Sequence, residues 1–237
     1  MKNKLSTLQI CAIAYSLILS NNMGITTYNL FHHGGQDCLI SIIIGMIIGI
    51  IPLTIYLKII NTDKNLNIFQ KINKKFKKTG KIFNLIITLA VSYTTTLCFF
   101  NVTNFISSQY LTKTPAIIIA LAFIPAPIYL LNKGLTIIGR TSFILTIFGI
   151  ISVLLTIISL IWQVNIINIF PLLQTGIKSQ LTNSIIYICY NITPLLLLTT
   201  IPMNNIIDKE KFNKRIIITY VLANIIILIL LYLLVHK

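Results

Sequence analysis

The chain has 237 residues, 56% of them hydrophobic and 10% charged, with a formal net charge of +15 and a mean hydropathy of +0.89. Soluble domains average about 25% charged residues. A globular fold of this size could not hide so many apolar side chains from water, whereas the hydrocarbon core of a bilayer accepts them, so a water-soluble protein is excluded.

A helix needs roughly 20 apolar residues to cross that core. Lys2 and Lys4 lead into the first apolar run, residues 8–31. The run continues past Ser20 without a small-residue cleavage site, which predicts an uncleaved span rather than a signal peptide. Ser20-Asn21-Asn22-Met23-Gly24, then Thr26 and Thr27, interrupt it. His32 and His33 follow; no ligand-spaced partner accompanies them, so they read as polar loop residues. The second span covers 38–60. In the connection 61–81, Leu66, Phe69, Ile72 and Phe76 recur at near-helical spacing among lysines. This predicts a basic amphipathic helix on the inner membrane face.

The third span, 82–110, carries Tyr93, Thr94, Thr95, Thr96, Asn101, Thr103 and Asn104. These serve either as glue between helices or as a cavity wall. The fourth, 116–131, is short and meets Pro115, Pro125 and Pro127, which predicts a kinked or partly re-entrant path. The fifth covers 135–162. The outer connection 165–181 is too apolar for a free loop and is expected to fold back over the outer mouth of the bundle. The sixth span, 184–207, is interrupted at Asn191-Ile192-Thr193-Pro194, with Thr199, Thr200 and Pro202 beyond. The seventh covers 216–235. All must be helices, because lipid offers no partner for unpaired backbone amides.

Threading these seven spans places sixteen of the nineteen Lys and Arg on one side. They are Lys2, Lys4, eight lysines from Lys58 to Lys81, Lys133, Arg140 and four residues from Lys209 to Arg215. Only Lys113, Lys178 and Lys237 fall on the other side. Positive loops stay cytoplasmic, so the N-terminus is expected inside and the C-terminus outside. Basic residues in short loops beside apolar spans serve topogenesis and attraction to anionic lipid heads, which makes nucleic acid an unneeded partner.

The four cysteines, Cys11, Cys38, Cys98 and Cys189, form no CxxC pair and indicate neither a disulfide framework nor a metal site. The four acids, Asp37, Asp63, Asp208 and Glu210, all fall outside the spans. A charge at mid-bilayer costs about 2.5–3.5 kcal/mol on insertion scales and usually marks an ion path. Their placement argues against proton coupling through a buried carboxylate and supplies no acid–base pair. With no phosphate loop and no Ser-His-Asp set, the sequence reads as no enzyme and calls for no cofactor.

The two interrupted spans are the candidate site. Pro removes a backbone donor and Gly adds freedom, while Asn and Thr can satisfy the groups so released. Broken helices at membrane depth are tolerated where protein covers them or where they line a cavity. A pair of them points to a transporter-type site. Half-helix N-termini can hold a small carboxylate without a basic side chain, which suits a zwitterionic amino acid. The residues are Asn21, Asn22, Met23, Gly24, Asn191, Ile192, Thr193 and Pro194. The alternative is ordinary kinks, with Asn and Thr packed against neighbouring helices.

Four stretches carry a resemblance. Leu5-Ser6-Thr7-Leu8-Gln9 opens the first span, and Gly35-Gln36-Asp37 precedes the second. Lys133-Gly134-Leu135 through Gly139-Arg140 enters the fifth. Asn168-Ile169-Phe170-Pro171-Leu172-Leu173 with Gly176-Ile177-Lys178 lies in the outer connection. In this order the chain resembles the spore germination permease family, the polytopic subunit of nutrient germinant receptors, within the amino acid–polyamine–organocation superfamily. The resemblance implies an all-α membrane protein of the inner spore membrane that senses a small nutrient, often an amino acid. It implies two partners, a subunit with large soluble portions and a lipoprotein.

By position, the resemblance puts the substrate region on Asn22, Met23 and Gly24, and on Asn191, Ile192, Thr193 and Pro194. Thr193 stands where family members often have a Glu. The superfamily fold has ten spans in two inverted five-span repeats. Seven spans would make this a C-terminally shortened form, a single transmembrane domain with a first repeat over 1–162 and a partial second over 163–237. Two other readings compete with the receptor subunit: an amino-acid secondary transporter and a degenerate subunit that binds no ligand.

Overall fold

The computed structural model describes residues 4–22, 26–162 and 176–235, without the side chains of Tyr28, Leu234 and Val235. Met23, Gly24 and most of the apolar outer connection lie outside the described residues. The elements in chain order are β1 (Leu5–Ser6), α1 (Thr7–Asn21), α2 (Thr27–Gly34), α3 (Cys38–Asn61), α4 (Ile68–Gln109), α5 (Ala116–Phe123), α6 (Pro125–Lys133), α7 (Leu135–Ile161), α8 (Ile177–Leu195), β2 (Ile206–Ile207) and α9 (Phe212–Val235).

Among the described residues, six helical stretches are long and apolar enough to cross a membrane. Helix α1, with 15 residues, is a shorter apolar helix, and α2 leads into the stretch that includes α3. The chain is therefore an all-α multi-pass membrane protein. The fourth span is a jointed pair, with α6 restarting at Pro125 where the missing amide interrupts the ladder.

The start of α1 follows from five residues. Ser6 is the N-cap: its hydroxyl accepts from the Gln9 amide at 3.2 Å, while the Gln9 side chain accepts from the Ser6 amide at 3.0 Å. This reciprocal pair satisfies two of the amides that a helix start leaves open. Just before it, β1 pairs in parallel with β2, Leu5 opposite Ile206 and Ser6 opposite Ile207. The Thr7 hydroxyl then donates to the Ile207 carbonyl at 2.8 Å. Gly139 on α7 makes room for this clasp; a Cβ there would lie 2.5 Å from Leu5 Cδ2.

The connection after α3 folds as a helical hairpin. Asn67 and Gln70 form a second capping box at the start of α4. Lys77, at φ 48°, turns the chain. The arm beyond it packs back on the first: Asn84 Nδ2 donates to the Phe69 carbonyl at 3.1 Å, and the Phe76 and Phe83 rings lie 5.3 Å apart. Gly80 permits the approach, since a Cβ there would meet the Ile72 carbonyl at 2.9 Å. Lys71 Nζ donates to the Ile59 and Ile60 carbonyls at 2.5 and 3.1 Å and so caps the C-terminus of α3.

The buried residues concentrate in α1, α3, α8 and α9, whereas α4 to α7 bury few. Two glycines one turn apart on α3 set the central packing. A Cβ at Gly45 would lie 2.7 Å from Tyr187 Cδ1, and one at Gly49 would lie 2.2 Å from Tyr220 Oη. Small residues spaced this way let membrane helices approach closely. The lysine-bearing connections gather at one end of the bundle, where the Asn204 amide donates to the Lys64 carbonyl and Asn61 Nδ2 to Asn213 Oδ1, both at 3.0 Å.

Candidate functional site

The expected break in the first span falls at residues 23–25, which lie outside the described residues. Described helix α1 ends with Asn22 as its C-cap, and α2 resumes after Thr26. The Thr26 hydroxyl reaches back to the Asn21 carbonyl at 2.5 Å, and Asn21 Nδ2 donates to the Leu17 carbonyl at 2.8 Å. Both side chains thus bond to backbone carbonyls near the end of α1, where the Asn22 amide also still donates to the Ile18 carbonyl. Thr26, the N-cap of α2, makes no side-chain capping bond among the described residues.

The sixth span behaves differently. Asn191, Ile192, Thr193 and Pro194 remain inside α8, and the helix tightens into a 3-10 turn only at Leu196–Thr200. Pro194 lacks an amide to donate to the preceding turn, yet the residues before it remain helical. The span also starts earlier than hydropathy indicates, at Ile177, because Gln180, Asn183 and Ser184 lie in the first turns of α8.

The two polar stretches meet. Asn22 Nδ2 donates to Asn191 Oδ1 at 3.0 Å, and both residues are fully buried. The remaining donors are satisfied locally, with Asn22 Nδ2 also on the Ile18 carbonyl at 2.7 Å and Asn191 Nδ2 on the Tyr187 carbonyl at 3.0 Å. Among the described residues, Asn22 Oδ1 is buried without a hydrogen-bond partner. One face of α1 holds a second such group seven residues earlier, the Tyr15 hydroxyl. An unpaired polar atom in an apolar interior costs about 1–3 kcal/mol, so each is an opening for a donor or acceptor from outside the chain.

The other expected residues spread around this contact. Asn21 turns toward α4, where Cys98 Sγ donates to its Oδ1 at 3.3 Å. Ile192 is buried against α3, near Gly49. Thr193 is exposed and does not join the Asn22–Asn191 pair. In α4 the threonine hydroxyls mostly bond back to their own helix, as Thr95 does to Val91 and Thr96 to Ser92.

Three residues extend the polar path across the core. Tyr187 Oη donates to Asn224 Oδ1 at 2.5 Å, Asn224 Nδ2 donates to the Tyr220 carbonyl at 2.7 Å, and Tyr220 Oη donates to the Met46 carbonyl at 3.4 Å. The path joins α1, α8, α9 and α3 through Asn22, Asn191, Tyr187, Asn224 and Tyr220. The lone Asn within the apolar run 216–235 was the signal that could have revealed it. Of the four acids, Asp37 is buried although it lies at a helix junction rather than within a span.

A family model described as spore germination protein matches residues 4–236. No curated protein and no solved structure matches the chain.

Proposed function

The chain belongs to the spore germination protein family, and from that premise we propose that it is the polytopic membrane subunit of a nutrient-germinant receptor. In this reading a small zwitterionic nutrient, such as an amino acid, binds between the break in the first span and α8. The observation that carries it is the buried Asn22–Asn191 pair with its unpaired Asn22 Oδ1. That oxygen accepts from the ligand ammonium. The first turn of α2, at the positive end of its helix dipole, receives the carboxylate. Met23 and Gly24 connect these two groups in the chain and belong to the proposed site. Ligand binding here biases the α1–α2 joint, and partner subunits, one with large soluble portions and one a lipoprotein, read the change. The lysine-bearing end faces the cytoplasm and the α9 C-terminus the opposite side.

Binding of labelled amino acids to the receptor complex in lipid nanodiscs tests this. One or a few are expected to bind saturably. The Asn22→Ala/Asn191→Ala double variant, which removes both partners of the buried bond, is expected to keep its unfolding temperature and weaken binding at least tenfold. Binding unaffected by that variant, or no binding of any amino acid, refutes the site. Accumulation of the ligand against a gradient in vesicles replaces the receptor reading with that of a transporter.

A further inference from the structure

The lysine-bearing end of the bundle holds a groove that the nutrient reading does not use. It measures about 550 Å³ and lies between the last turns of α3 and the first turns of α9. Thr54, Leu57, Lys58 and Asn61 line it from α3, and Asn213 and Ile217 from α9. Spacings of three and four residues place each set on one helix face.

The lining is graded along the helix axes. Leu57 and Ile217 lie deeper, toward the middle of the spans. Lys58, Asn61 and Asn213 lie nearer the helix ends. Asn61 Nδ2 is committed to the Leu57 carbonyl at 2.7 Å and to Asn213 Oδ1 at 3.0 Å, which bridges the two helices. Lys58 Nζ and Asn213 Nδ2 have no protein partner among the described residues. Both residues are exposed. Beside them Ile55 and Ile218 are 51% and 45% exposed, so the groove opens sideways toward the apolar surroundings.

Charge decides the occupant. The groove contains no acid. The nearest in sequence, Asp63, is paired with Lys74 at 3.0 Å. Lys214 and Arg215 follow Asn213 in the same turn. A neighbouring groove of about 740 Å³ mixes Asp208 and Glu210 with Lys209, Lys211 and Arg215 and has only Ile206 as an apolar wall. It offers neither a single sign of charge nor a seat for a hydrocarbon chain.

We infer that the groove between α3 and α9 is a binding site for an anionic phospholipid. The headgroup phosphate rests on Lys58 Nζ and the Asn213 amide, and the first acyl carbons lie against Leu57 and Ile217. Basic pockets between membrane helices recognise anionic lipids in this way. A zwitterionic headgroup binds less well because its own ammonium is repelled by Lys58.

Native mass spectrometry of the delipidated protein tests this, with phosphatidylglycerol and phosphatidylcholine of matched chains. Phosphatidylglycerol adducts are expected in about fivefold excess, the ratio set by one lysine near an anionic surface. Lys58→Gln is expected to abolish the excess, and Lys113→Gln, at the other end of the bundle, to leave it. A photoreactive phosphatidylglycerol is expected to label peptides spanning 54–62 and 213–217. Glycerol 3-phosphate is expected not to displace it. Equal retention of both lipids, loss with both variants or with neither, labelling elsewhere, or full displacement by glycerol 3-phosphate overturns the inference. None of these outcomes depends on whether an amino acid binds at Asn22.

Discussion

Replacing glycine by alanine should have opposite effects at Gly49 and Gly149. At Gly49 the added Cβ would stand 2.2 Å from Tyr220 Oη and 3.2 Å from its Cζ, where ordinary contact begins near 3.4 Å. The hydroxyl must therefore withdraw by more than 1 Å. Tyr220 is 1% exposed, so its ring has little room, and the move breaks its bond to the Met46 carbonyl. Overpacking of this kind costs about 1–3 kcal/mol, and the lost bond adds about 0.5–1 kcal/mol. Relief of the helical penalty of glycine offsets about 0.5–1 kcal/mol. The net is a destabilisation of about 1–3 kcal/mol, or roughly 3–10 °C in Tm for a chain of this length. Around Gly149 on α7 no atom lies within 4 Å, so only the helical gain remains, and Tm should rise by about 1–4 °C. A thermal ramp in detergent with a thiol-reactive fluorophore reports both. Cys98 and Cys189 are exposed and react first; Cys11 and Cys38 are buried and react on unfolding. If Gly49→Ala melts at or above the wild-type temperature, close packing of α3 on α9 is refuted.

Asn224→Leu leaves the Tyr187 hydroxyl buried without its acceptor and should cost about 1–3 kcal/mol, although leucine is the more apolar residue. Adding Tyr187→Phe should recover most of that loss; a double variant no better than the single one would break the argument. Ser6→Ala removes the side-chain half of the α1 capping box and should lower stability by about 1 kcal/mol. Thermal unfolding of the purified protein measures both, and an unchanged midpoint for Ser6→Ala would mean that the cap contributes nothing.

Hydropathy made the spans legible because apolar residues dominate each of them, and lipid leaves helices as the main option. The start of α1 was legible from Ser6 and Gln9 at capping-box spacing, whereas the break expected in the first span falls on residues outside those described. The sixth span was harder. Asn191 looked like part of a break because proline and threonine follow it, yet an asparagine can stay helical when its amide bonds one turn back, as Asn191 does to Tyr187. The meeting of Asn22 with Asn191 is tertiary and leaves no local trace. The β1–β2 clasp was invisible for a related reason: two residues are too few to show an alternation. Gly45 and Gly49 did carry a readable small-residue spacing, but only the packing shows that two tyrosines fill the space they leave.

The clasp between residues 5–6 and 206–207 has a consequence for biogenesis. Its halves are about 200 residues apart in the chain, and α1 and five longer apolar stretches, six crossings in the seven-span reading, lie between them. An even number returns the polypeptide to the side from which it set out. If any one segment failed to insert, the later half would emerge across the bilayer from the earlier one, and the two could never touch. Closure of this short stitch is thus a parity check on the whole threading, completed only after the sixth passage has been made correctly.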